Sequence, residues 1–580
     1  MNLGDNCHFK QGAIPAAAIT DLQGNVLISN TLIEETDNIP LGGNIYVSAG
    51  DVWAVSSVKI LHTRFWAAST ASIILACAVP DLDKFPPVVP EKLMIQREIC
   101  IWLGYLDVVR GASKQDLMEG RLIRKFVGVI DSINATGSAN GGFTVKLQAR
   151  CRMSWLMDST VSYNQTEMEG FGDGTGTISR SKLILEIAQR AIGQVALEEC
   201  VNCGKTIEES ADFNIDLEDI DDVEELPEAN VWYETEDGSL PSYEQQPLAG
   251  YTRTSLSVDP NPEFRIYTSR VAINQDQSRN FLLADQGPVE MIKALSFQEV
   301  YPTEVFSSHI DGHLYYVPRA NDGSSLRDPK RFYRTYYFRH NYEGININQR
   351  MLTFREEASS SSLKTNFIVS KEGQNSDGSP YKSWSLHLRV KPSELAKDVD
   401  FPCKMQHLKD PTIKTLGQAA TVAVSAARIQ AKNLRSGMVI VVGDPSLTPG
   451  EIIQTVGSAL LEKGGLDRAK SDRETFIEYN QRYNELIKDY AEEASLEDED
   501  EEEIELDLFD GSRAVFKRDD EVNSQSPRLI CDVTSSIINS DNNIGFNPTP
   551  QTIWRIEAVL DKWNAGSKGY TTELMLLDPF

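Results

Sequence analysis

The chain has 580 residues, a formal net charge of −29 and an apolar fraction of 41%. That length predicts three or four domains rather than one core, and the acidic balance excludes wrapping of a nucleic acid, whose phosphates need neutralising Lys and Arg. Eight Cys are too few for a disulfide framework in so long a chain and read as buried thiols in a reducing compartment.

The N-terminus, MNLGDNCHFKQGAIPAAAITD, lacks a basic region followed by a long apolar core, so no signal peptide is expected and synthesis is placed in the cytoplasm. Asn25–Ser29 and Asn44–Ser48 are strand-like. Ser57–Val79 alternates only in part. Within it, Ala71–Pro80 is the longest apolar stretch, about half of the roughly 20 residues a membrane span needs; no stable membrane association is expected. Phe85–Pro90 is an extended connection, because each Pro disfavours helix at the residue before it.

The first clear β block runs from Glu98 to Leu156. Ile99–Tyr105 is a short apolar run, Lys125–Ile133 alternates in its second half, Gly137–Gly142 is a turn and Phe143–Ala149 alternates again. This is the period of half-buried antiparallel strands. Ser179–Ala196 has apolar residues at helical spacing from Leu183 to Ile192, with Ser179 or Ser181 as the cap. Glu198–Glu228 is acidic with one basic residue, Lys205, and reads as an exposed loop.

Farther on, Pro288–Leu295 predicts a short helix, His313–Arg319 and Asn366–Ser370 predict strands, and Leu416–Leu434 is an Ala-rich helix that Gly437 would follow. Arg331–His340 mixes Arg with aromatic residues and predicts a strand with one face at a subunit interface. A second β block is split: Asn433–Ser458 holds its first part and Thr552–Leu577 the rest. Between them Ala469–Ala494 predicts a charged helix, and Glu497–Glu505 holds eight acidic residues in nine positions, a density that favours a solvated loop.

No catalytic set emerges. The seven His form no H-E-x-x-H, no Ser sits in G-x-S-x-G, and the acidic runs offer no specific carboxylate pair for glycoside cleavage. Asp216–Asp222 lacks the Gly turn of a calcium loop. Gly170–Thr177 is Gly-rich but lacks the Lys of a phosphate loop, and reads as a turn into the following helix. Cys200 and Cys203 form a C-x-x-C, half of a zinc knuckle or part of an iron–sulfur site assembled from separated ligands. Its two missing ligands would have to come from Cys7, His8, Cys403 or a neighbouring subunit. The simpler alternative is two unlinked thiols in an acidic loop, with no cofactor.

The order of these pieces resembles the baseplate hub proteins of contractile-tail bacteriophages, the family that includes the late control protein. The residues that carry it are the F-x-G-x-I-x-S run at Phe126–Ser132, the R-x-R-M-x-W-L segment ending at Leu156, and the helix Leu183–Ile192. The others are DGHLYYVPR at Asp311–Arg319, VVGDPSLTPGEIIQTVG at Val441–Gly457 and the closing segment Trp554–Leu576. The acidic insertions depart from the pattern. The resemblance implies a mainly β fold with α+β insertions, in which two tail-tube-like β-barrel domains accompany smaller accessory domains. Residues 1–160 would form the first tube-like domain and 161–360 an accessory α+β domain with the acidic loop. Residues 361–460 would begin the second tube-like domain, 461–527 would be a partly disordered acidic insertion, and 528–580 would complete the second domain.

It further implies a structural hub without enzymatic turnover, a homotrimer whose six β domains form a pseudo-sixfold ring adapting the tail tube to the central spike. Its partners would be the tail tube or tube-initiator protein, the spike, the tape measure protein and the baseplate wedge proteins. DNA would only pass through, along an acidic lumen, and the protein would sit in the virion tail baseplate after assembly in the host cytoplasm. Two alternatives come from other classes: a tail-associated cell-wall-degrading enzyme, and a spike-hub protein of a contractile secretion system.

Overall fold

In the computed structural model, strands from both ends of the chain share one sheet. The structure describes residues 14–30, 53–64, 67–77, 93–107, 111–137, 143–159, 287–296, 303–309, 314–318, 334–337, 350–358, 364–374, 380–390, 404–408, 435–456, 552–565 and 569–577, with shorter stretches between them. The expected mainly β class holds.

The N-terminal half contributes β1 (Ile14–Thr20), β2 (Val26–Ser29), β3 (Trp53–Thr63), β4 (Thr70–Cys77), β5 (Glu98–Leu106), β6 (Leu122–Gly137) and β7 (Phe143–Arg150). They lie in the order β2-β1-β5-β6-β7-β4-β3, and every pairing is antiparallel. The segment Glu98–Leu106 is a continuous apolar run because both its faces are covered. Ile99, Ile101, Leu103 and Tyr105 enter the main core, while Cys100, Trp102 and Leu106 pack with Ala16, Ala18, Leu117 and Leu122. Leu117 belongs to α1 (Lys114–Met118), which a Ser113–Asp116 capping box starts. The helix α2 (Met153–Asp158) follows β7, and α3 is Pro288–Ser296, close to the span read from the sequence.

The hairpin of β8 (Thr303–Ser307) and β9 (Leu314–Pro318) belongs to a four-stranded sheet with Ile215–Asp216 and Phe264–Thr268. Next comes β10 (Arg334–Tyr337), inside the Arg-aromatic stretch. It pairs in parallel with a strand of this same chain, Ile452–Val456, and Tyr336 enters a core. The strand forecast for that stretch is right, and its pairing is with a strand of the same chain.

The remaining strands are β11 (Met351–Ala358), β12 (Asn366–Gln374), β13 (Pro380–Val390), β14 (Met405–Leu408), β15 (Arg435–Val442), β16 (Ile452–Val456), β17 (Glu503–Asp507), β18 (Arg513–Arg518), β19 (Arg528–Val533), β20 (Ile553–Asn564) and β21 (Gly569–Leu577). Two sheets divide them. In the large, 13-stranded sheet, β11-β15-β21-β20 continues directly into β3, while β16 pairs β20 and β10 pairs β16. The six-stranded sheet runs β14-β12-β13-β19-β18-β17.

One expectation changes here. Of the acidic run Glu497–Glu505, expected as a solvated loop, residues 497–502 lie outside the described residues, and Glu503–Asp507 is a strand in register with Arg513–Arg518. Its alternating Ile504 and Leu506 give period-2 apolarity that outweighs the local charge, and Lys517 lies opposite Glu503. The strand Arg528–Val533 pairs in parallel with β13. Met351–Ala358 edges the large sheet.

The described residues of two forecast helices are helical and buried: Ala419, Ala420, Val422, Ala423, Ala426 and Ala427 in one, Asp472 and Phe476 in the other. In Ser179–Ala196, Thr177–Ser179 is a strand and Ile187 is helical and buried in the main core; the rest lies outside the described residues. So do Phe85–Pro90, nearly all of Glu198–Glu228 and Gly170–Gly176. No helix among the described residues is long and apolar enough to cross a membrane.

Candidate functional site at the seam of the two halves

The pairing of β3 with β20 joins segments nearly five hundred positions apart, as Ala558↔Thr63 through Asn564↔Ser57 attests. Register then aligns side chains across the whole sheet. One row crosses from Val441 through Thr572, Asp561, Ile60, Ala71 and Ala149 to Ile130. All of its members are buried. The neighbouring row, one residue along, is Val442, Thr571, Lys562, Lys59, Ser72, Gln148 and Ser132. It faces the opposite way, because side chains alternate along a strand, and its members are exposed or half-buried.

Asp561 is the one charge in the buried row, and the fold surrounds it. Tyr570 Oη and Thr572 Oγ1 both donate to Asp561 Oδ1 at 2.8 Å. Lys125 of β6 reaches Asp561 Oδ2 at 3.3 Å, and neither side chain is exposed at all (0% each). The Oδ2 atom makes no well-aligned hydrogen bond, so this contact is an ion pair rather than a directed bond. Lys125 Nζ instead aims its hydrogen bond at the carbonyl of Leu447, at 2.5 Å.

That carbonyl belongs to the motif Val441–Gly450, which the structure explains residue by residue. Asp444 accepts from the Ser446 amide and hydroxyl and so closes the turn. Its own amide donates to Thr572 Oγ1 at 3.0 Å. Gly443 lies flat against the Tyr570 ring, where an added Cβ would sit 2.1 Å from a ring carbon. The Gly443 carbonyl accepts from Tyr105 Oη at 2.7 Å, across 338 positions of sequence. Gly450, with φ of 96°, takes the left-handed turn back into β16, and its amide donates to the Ile556 carbonyl at 2.7 Å. Burial and the nearby carboxylates of Asp444 and Asp561 push the Tyr105 phenol well above its usual value. Burial, followed by Asp561 and Tyr105, does the same to Tyr570.

A second group of buried charges bridges the seam from above. Arg555 Nη2 meets Glu304 of β8 at 2.6 Å, with both side chains essentially unexposed, and Arg555 Nη1 meets Glu557 at 3.0 Å. Arg124 Nε donates to the His309 carbonyl at 3.0 Å. The rings of His62 and His309 stand edge to face at 4.6 Å, and the Arg64 guanidinium lies 4.5 Å above the Phe306 ring. Glu304 thus grips the C-terminal half, while Phe306 and His309 grip the N-terminal half.

The insertion between β16 and β20 is tied down where it leaves and returns. Asp472 Oδ2 accepts from both the amide and the hydroxyl of Thr552 at 2.8 Å, and Phe476 packs between Ile452 and Ile553.

Cys200 and Cys203 lie outside the described residues, as do Cys7, His8 and Cys403. Among the described residues no group of three His, Cys, Asp or Glu is placed to hold a metal. Cys77, Cys100 and Cys151 are buried free thiols, each pushed upward in pKa chiefly by burial. Sequence reasoning singled out Val441–Gly457 and the closing segment but missed β3. Within Trp53–Thr63 a register shift between Val55 and Ser57 and the polar His62 at a buried position break the apolar alternation.

No protein-family model matches the chain, and no curated protein does. Solved structures do, at low identity. The 43 kDa tail protein of prophage MuSo2 from Shewanella oneidensis is 8% identical, with 97% of this chain and 98% of that one covered and a TM-score of 0.42. A tail protein from Neisseria meningitidis is 9% identical over 97% of this chain and 96% of that one, at 0.40. An Escherichia coli protein, described as a component of the type VI secretion system with structural similarity to T4 bacteriophage tail proteins gp27 and gp5, is 7% identical. It covers 90% of this chain and 73% of that one, at 0.32. The chain's structural neighbours are therefore phage tail proteins and a secretion-system component akin to them.

Proposed function

We propose that this chain is a structural hub at the distal end of a phage tail tube. The observation that carries the reading is the seam: two β-rich halves from opposite ends of the chain are fused, edge to edge through β3 and β20, into one sheet. A subunit that presents two tube-like elements side by side lets three copies make six, which bridges a sixfold tube and a threefold spike. The hub is a homotrimer that contacts the tail tube or tube-initiator protein, the spike, the tape measure protein and the wedge proteins. It sits in the virion tail baseplate, assembles in the host cytoplasm and turns over no substrate.

On this reading the exposed face of the large sheet lines the channel. Its described residues include hydroxyl and amide side chains and apolar ones such as Ile74 and Met575, with Lys59, Lys146 and Lys562 as cations; Glu573 pairs with Lys562 at 2.6 Å, Arg355 with Glu357 at 3.2 Å, and Arg150 is held by Asp131 and Asp158. Such a wall offers a passing phosphate backbone few fixed contacts.

Light scattering on the purified chain, alone and with the tube protein, tests the proposal. The expected mass is three times the 64.6 kDa of one chain, with rings of pseudo-sixfold outline in electron micrographs. A persistent monomer under both conditions, or release of soluble fragments from purified cell walls, would overturn it.

A further inference from the structure

The β8–β9 hairpin is docked on the large sheet through an unusual set of contacts. His309, which follows β8, is buried against His62 of β3, the strand that forms the seam. Both ring nitrogens of His62, and Nε2 of His309, are buried without a hydrogen-bond partner among the described residues. An unpartnered neutral imidazole in such a place is costly, and an imidazolium is worse, because of what surrounds it.

The charged groups packed against the two rings come from every side. Arg64 follows β3, and Arg124 and Lys125 come from β6. The nearby acids are already engaged: Asp561 with Lys125, and Glu304 with Arg555. Burial first, and then these cations, hold both imidazoles well below their ordinary value. No carboxylate is left to take an added proton's charge among the groups that bear on the rings.

We infer that the hairpin is an acid-releasable clamp across the seam, in which the edge-to-face His62–His309 pair is the sensor and the β8–β9 hairpin is the part that moves. The direction follows from linkage. A histidine that is neutral when docked and free to protonate when released favours docking fully above its ordinary value of 6.5 and loses that preference as pH falls below it. At pH 5.0 each imidazole shifts the equilibrium toward release by at most about 30-fold. The inference rests on the geometry of the clamp and stands whether or not the chain is a tail hub.

Hydrogen exchange of the full chain, read by mass spectrometry and normalised to intrinsic rates, tests it. Between pH 7.5 and 5.0, peptides covering residues 303–318 are expected to lose protection at least tenfold, while those from β4 and β7 hold theirs. In the double variant His62→Gln/His309→Gln, with His313 left in place, that pH dependence should vanish. Should the double variant fail to fold, His309→Gln alone is expected to reduce it by about half on a logarithmic scale. Unchanged protection in the native chain at pH 5.0 would overturn the inference. So would loss shared equally by β4 and β7, or an identical pH profile in the variant that folds.

Discussion

Lys125 and Asp561 offer the sharpest test of how the two halves are held. Both are unexposed, so removing one partner strands the other. Lys125→Met leaves Asp561 charged and supported only by the Tyr570 and Thr572 hydroxyls; truncating one member of a buried pair costs about 3–5 kcal/mol. Asp561→Asn keeps an oxygen for those two hydroxyls but leaves Lys125 with only the Leu447 carbonyl, and should cost a similar amount. The double variant Lys125→Met/Asp561→Asn removes both charges and retains the hydroxyl bonds. It should be less destabilised than the sum of the singles by about 2–3 kcal/mol. Native-state hydrogen exchange of β20 amides measures this, because it reads the local opening free energy without needing a two-state chain of this size. Single-variant losses under about 1 kcal/mol, or additivity within about 0.5 kcal/mol, would refute the claim that this pair secures the seam.

Other outcomes follow from the same geometry. Gly443→Ala drives a methyl into the Tyr570 ring and should cost about 2–3 kcal/mol, visible as faster exchange in both β15 and β21. Asp472→Ala orphans the buried Thr552 amide and should cost about 1–3 kcal/mol, with new protease cleavage in the segment around Phe476 while β4 stays resistant. The two buried phenols keep their protons when folded and lose them above the ordinary value of 10.0 when unfolded. The stability they confer is therefore complete below pH 10 and lost as pH rises beyond it. In tyrosinate absorbance, Tyr105→Phe and Tyr570→Phe should each lower by one the number of tyrosines that ionise only with unfolding.

Much of the β architecture is legible because local pattern and local environment agree. Phe143–Ala149 alternates in sequence and in burial, and its partner strand does the same past Ile130. The short helix at Pro288 declares itself by a Pro suited to the first turn and apolar residues at helical spacing. Reading fails where tertiary context overrides composition. Acidic density at Glu503–Glu505 argues for a loop, yet alternate Ile504 and Leu506 make it a strand once Arg513–Arg518 lies alongside. The aromatic stretch at Arg334–Tyr337 reads as a strand, but its partner strand lies 119 positions away, as the Thr335 to Gln454 contact shows.

From the residues alone came the mainly β class, the two strand-rich blocks, and the prominence of Val441–Gly457 and the closing segment, because period-2 apolarity and turn chemistry are local properties. The tertiary structure alone decided that the blocks share one sheet. The β3–β20 register, the burial of Lys125 beside Asp561 and the edge-to-face contact of His62 with His309 each join residues hundreds of positions apart. Such contacts follow from which edge meets which when the chain closes on itself, and no window of sequence contains both partners.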